Sequence, residues 1–82
     1  MNQQLMIEFF PQRKEDITYQ NMRREFEKHT GKNIRLKCTE GIIEGKLLAL
    51  INFADNRGPA LTLDLAGGLG VVLYKDIRRR NK

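Results

Sequence analysis

Residues 37–50, "KCTEGIIEGKLLAL", decide the fold. Glu40-Gly41 reads as a turn. Gly45 follows inside a strand, where a residue without a Cβ marks a bend or a close backbone approach. The strand runs from Ile42 to about Ile51. Its first half has one polar face, carried by Glu44 and Lys46, and its second half, "LLALI", is apolar on both faces. A strand of this kind bends to serve two halves of a small barrel, and its second face calls for cover.

The flanking segments supply the rest of that barrel. In "NIRLKC", Ile34, Leu36 and Cys38 alternate with Arg35 and Lys37, the period of a half-buried strand. "NFADNRGP" is a loop rich in turn formers. "ALTLDL" alternates again, with Leu61, Leu63 and Leu65 inward. Gly67-Gly68 suits a two-residue hairpin turn, which sets Leu63 opposite Val72 and Asp64 opposite Val71. "LGVVLY" returns with Leu69, Val71 and Leu73 on its outer face, and "DIRRR" is a last short strand.

Upstream, the period is helical over about 18–30. Asp16 or Thr18 can cap the helix. Tyr19, Met22 and Phe26 form its apolar stripe, and Gly31 ends it. His29 lies in the last turn, where the helix dipole favours a cation. Residues 1–16 form an N-terminal extension broken at Pro11, and 17–82 form a single domain with its barrel at about 32–80. The expected fold is therefore mainly β: a five-stranded bent barrel preceded by one α-helix.

Composition excludes several function classes. The 82 residues contain one cysteine and neither serine nor tryptophan. Serine-based acyl chemistry is out, and no internal disulfide can form, which fits a cytoplasmic compartment. No apolar run spans a bilayer and no signal peptide is evident. His29 and Cys38 alone cannot hold zinc. As a nucleophilic pair they lack an orienting third group. No cofactor is expected and the protein reads as a non-enzyme. The net charge is +5, of which residues 75–82, "KDIRRRNK", contribute +4. A basic tail on a balanced domain suits either an anionic partner, with nucleic acid first, or plain solvation.

With these elements placed, the chain resembles the Sm-like (SH3-like barrel) family, which includes the Sm and LSm proteins and the bacterial host-factor RNA chaperone. The matching residues are Glu40, Gly41, Gly45, Leu47, Phe53, Asp55 and Asn56, followed by "GVVLYKDI" with Tyr74-Lys75. Gly41 and Gly45 are one residue closer than in the usual pattern, and Asp76 stands where the host factor has histidine. The chain is also similar to the Rho-binding antiterminator family, through Tyr19, Asn21 and "KDI". The C-terminal barrel of biotin protein ligases is similar too, without such a helix.

The Sm-like resemblance implies a cyclic homo-oligomer that binds single-stranded RNA. The fourth barrel strand of one subunit would pair with the fifth of the next, through Leu69, Val71 and Leu73. It implies base stacking by Phe53 or Tyr74, base contact by Asn56, and phosphate contacts by Arg57 and Lys75, with Arg78 and Arg79 of the tail adding charge. Each residue also has a structural reading, as core, barrel closure, turn or solvated surface. The alternative function is a module docking on a protein factor such as Rho or a sliding clamp. For the clamp, Gln3, Met6, Phe9 and Phe10 have the spacing of a clamp-binding box. The competing reading of that segment is that Leu5, Ile7 and Phe9 form an added edge strand or cover the barrel end.

Overall fold

A computed structural model of the chain describes residues 5–7, there as backbone, and 14–77. Five strands form one sheet in the order β1-β2-β3-β4-β5: β1 Leu5–Ile7, β2 Asn33–Cys38, β3 Gly41–Asn52, β4 Pro59–Leu65 and β5 Gly68–Leu73. β2 to β5 are an antiparallel meander. β1 pairs parallel to β2, from Leu5 opposite Ile34 to Ile7 opposite Leu36. Residues 5–7 of the N-terminal segment thus lie at the edge of the sheet. Gln3, Phe9 and Phe10 lie outside the described residues.

The helix α1, Tyr19–Phe26, continues as a 3-10 turn over Glu27–His29. Thr18 caps it: its Oγ1 accepts a hydrogen bond from the Asn21 amide at 3.1 Å, satisfying one of the free first-turn donors. Asp16 contributes through its backbone, whose carbonyl accepts from Asn21 Nδ2 at 2.9 Å. Gly31, at φ 87°, turns the chain out of the helix, in a region open to glycine at little steric cost. Its amide donates to the Leu47 carbonyl at 2.7 Å, and the Leu47 amide donates to Lys32 at 2.9 Å. These two bonds lock the helix end onto β3. Met22 and Phe26 are fully buried, and Tyr19 packs partly against the same core.

The core lies between α1 and the inner face of the sheet. Ile34, Leu36 and Cys38 enter from β2, Leu47 from β3, Leu61 and Leu63 from β4, Val72 from β5, and Tyr74 and Ile77 from the following turn. Gly45 has the close approach expected of it. A Cβ there would come within 2.8 Å of the Asp64 carbonyl oxygen and 2.9 Å of Leu65 Cδ2. The bend in β3 is sharpened at Leu48, an extra residue between the pairs Leu47–Leu63 and Ala49–Thr62. Such a β-bulge increases local twist and turns the strand.

Three expectations are corrected. The β4–β5 turn uses Ala66-Gly67, not Gly67-Gly68, so Leu63 faces Gly70 and Asp64 faces Leu69. Each pairing moves by two residues, which leaves every side chain on its expected face. The strand over 76–80 is not formed in its described part. Tyr74–Asp76 is a 3-10 turn, and Ile77 makes one antiparallel bridge to Cys38. Beyond that bridge, the described sheet is open between β5 and β2. Finally, His29 does not gain a favoured positive charge. Burial, then the charges of Lys28 and Lys32, lower its pKa, and its Nδ1 is buried with no hydrogen-bond partner.

Candidate nucleic-acid interface

The loop between β3 and β4 is closed by its own backbone. The Phe53 amide donates to the Gly58 carbonyl at 2.9 Å, and the Gly58 amide to Asp55 at 3.3 Å. Within it, Asp55 organises Arg57. The carboxylate accepts from the Arg57 backbone amide at 3.0 Å, from Nε at 3.0 Å to each oxygen, and from Nη2 at 2.7 Å. A two-residue separation lets an aspartate bond the backbone this way. The side-chain bonds from Arg57, then its backbone bond, bring the Asp55 pKa down to about 2. The guanidinium carbon lies 3.8 Å from the Phe53 ring centroid, so cation and ring are stacked.

The turn after β5 meets this loop. Lys75 Nζ donates to the Asn56 carbonyl at 3.2 Å. Lys75, Asn56, Arg57 and Gly58 line a cavity of about 290 Å³ with Lys14 and Ile17. Of these six described lining residues three are cations and none is an acid. The structure therefore brings Phe53, Asn56, Arg57 and Lys75 together as a cluster. It also adds two residues that periodicity and motif spacing did not single out. Lys14 and Ile17 come from the 3-10 turn Lys14–Asp16 and its exit, far away in sequence.

Tyr74 is corrected as a stacking residue. It is fully buried, edge-on to Phe26 with ring centroids 6.3 Å apart and planes at 90°. Such a ring packs the core and presents no face to a base. Its inward side was legible: Tyr74 shares the parity of Val72. Arg78 and Arg79 lie outside the described residues, as do Gln3, Phe9 and Phe10 of the clamp box. Met6 lies in β1.

The outer face of β5 is apolar. Leu69 is 72 % and Val71 52 % exposed, while Leu73 is half-buried. No described strand pairs with the free edge of β5, which carries neither charge nor proline. Beside it, Ile43, Val71, Val72 and Leu73 line a groove of about 140 Å³ together with Cys38, Glu40 and Asp76. Burial, then the Asp76 and Glu40 carboxylates, raise the Cys38 thiol to about 11. The thiol is thus protonated at neutral pH and a poor nucleophile. Among the described residues no group of His, Cys, Asp and Glu could hold a metal ion, and no helix is long and apolar enough to cross a membrane.

Comparison with known proteins finds no matching family model, no similar curated protein and no similar solved structure.

Proposed function

We propose that the chain is a small Sm-like barrel protein, without enzymatic activity and cytoplasmic, that assembles into a ring and binds single-stranded RNA. The observation that carries this reading is the loop cluster. Residues from three separate segments, Lys14, Asn56 with Arg57, and Lys75, converge on one cavity, with no carboxylate among the described lining residues. Cations, an amide and an aromatic-backed plane are the groups that single-stranded nucleic acid needs for phosphate, base edge and base face.

The barrel is supported by curling of the sheet, which brings Ile77 to Cys38. The Thr39 amide and hydroxyl both donate to the Asp76 carbonyl there, at 2.9 and 3.2 Å. The ring is supported by β5. Natural sheets protect free edges with devices that include charge, proline and cover; β5 has neither charge nor proline, which favours cover. A neighbouring subunit would bury Leu69 and Val71.

The acid-flanked groove beside β5 favours a second reading, a module docking on a protein factor through strand addition. Fluorescence anisotropy with labelled uridine- and adenine-rich oligonucleotides across a salt series separates the two. Binding that weakens steeply with salt supports the RNA reading, since phosphate contacts release counterions. Absence of binding at low salt sinks it.

A further inference from the structure

We propose that a nucleobase stacks on the outer face of the Arg57 guanidinium, backed by Phe53, and that its phosphate is held across the cavity by Lys14 and Lys75. The inference rests on the RNA-binding reading and revises the roles within it. Arg57, its charge already matched by Asp55, serves the base before the phosphate, and Phe53 backs the surface that meets the base.

The geometry divides the work. One face of the Phe53 ring is taken by the guanidinium at 3.8 Å. The Nε–Nη2 edge of that guanidinium, one of its two forks, is filled by Asp55 through three side-chain contacts of 2.7–3.0 Å. Arg57 is therefore matched in charge and fixed in orientation. To a base it offers its second flat face, its side chain being 53 % exposed, and the Nη1 donors that Asp55 does not use point along the same plane. Guanidinium planes stack with bases as aromatic rings do.

The phosphate's charge has to be met elsewhere. Lys75 spends one of its three N–H donors on the Asn56 carbonyl. Lys14 reaches the same cavity from a different segment of the chain, and Ile17 adds an apolar side chain to its lining. At about 290 Å³ the cavity lies at the small end of ligand pockets, roughly 300–1,000 Å³. It suits one nucleotide unit and not an extended cofactor.

The test uses the full chain and a single-stranded oligonucleotide carrying 2-aminopurine, whose emission is quenched by stacking. Affinity is measured across a salt series. Arg57→Lys keeps the charge but loses the plane. It is expected to abolish the quenching and weaken binding roughly tenfold, in line with one lost stack, with the salt slope unchanged. Lys14→Gln is expected to keep the quenching and reduce the slope by about 0.7, one phosphate on a single strand. Asp55→Asn frees the fork, so Arg57 gains phosphate contact and the slope rises by a similar amount. The proposal is overturned if Arg57→Lys retains the quenching, or if Lys14→Gln leaves the slope untouched. Either result with a binding wild type removes this inference and leaves the RNA reading standing. A wild type that binds no oligonucleotide at low salt removes both. Circular dichroism confirms that each variant is folded.

Discussion

Gly45 lies so close to the backbone of Asp64 that a Cβ would sit 2.8 Å from its carbonyl oxygen. That relationship ranks three glycine variants. Gly45→Ala meets backbone, which cannot swing away, and is expected to destabilise by about 1–3 kcal/mol. Gly70→Ala meets mainly Leu65 Cδ1, at 2.5 Å, the far end of a half-buried side chain that can rotate, so its cost is smaller. Gly67→Ala meets nothing within 4 Å and has an ordinary φ. It is expected to be neutral, or to stabilise by about 0.4–1 kcal/mol through the unfolded chain. Urea unfolding of the three variants checks the order.

Tyr74 variants should act on folding and not on affinity. The edge-on pair with Phe26 contributes about 0.5–1.5 kcal/mol beyond simple burial. Phe26→Ala should cost about 3–5 kcal/mol. Tyr74→Leu should lower the unfolding midpoint while the folded fraction binds oligonucleotide with unchanged affinity. A selective loss of affinity at full stability would return Tyr74 to the interface.

Acid should weaken the fold through His29. Its pKa is lowered, chiefly by burial, so the folded state disfavours the proton. Stability from this source is complete above the unfolded value near 6.5 and declines as pH falls through the lower folded value. Thermal melts from pH 7.5 down to 5 should show the decline, and His29→Gln should flatten it. The Asp55–Arg57 pair behaves differently. With Asp55 down at about 2, it stays ionised throughout that range. Oligonucleotide binding should therefore show no pH dependence from this pair.

Cys38 should resist alkylation. Its thiol is buried and raised to about 11, so the thiolate that reacts is scarce at pH 8. Iodoacetamide labelling should be slow in the native protein and fast in urea.

Val71→Lys tests assembly. Val71 is 52 % exposed, so the change should alter subunit stability by no more than about 0.5 kcal/mol. Light scattering should show the wild type as an oligomer and the variant as a smaller species. A monomeric wild type at micromolar concentration would rule out the ring.

The strands were legible where alternation is clean, as in Ile34-Leu36-Cys38 and Leu61-Leu63. Residue chemistry alone offered Asp16 or Thr18 as the cap, of which Thr18 serves, and gave the end at Gly31. The hairpin register was not legible, because "AGG" permits two turns. The observed one lets Leu65 lie over Gly45 and Gly70, a packing choice invisible along the chain. At the site, Asn56, Arg57 and Lys75 were named from a resemblance, and the structure brings them together. Arg57's place over Phe53 depends on the Asp55 fork, and Lys14 joins only through tertiary approach. Neither carries a periodic signal.

The meander has a kinetic consequence. Two residues join β2 to β3, six join β3 to β4, and two join β4 to β5. Each strand can pair with its predecessor after a short loop closure, so the entropic toll of closure is spread over small steps. β1 is the exception, since the whole helical segment separates it from β2. Its pairing spans the longest loop in the sheet and is three residues long. The order of events should therefore follow the order of the strands from β2 onward, with β1 docking last, and its amides should be the first to exchange with solvent.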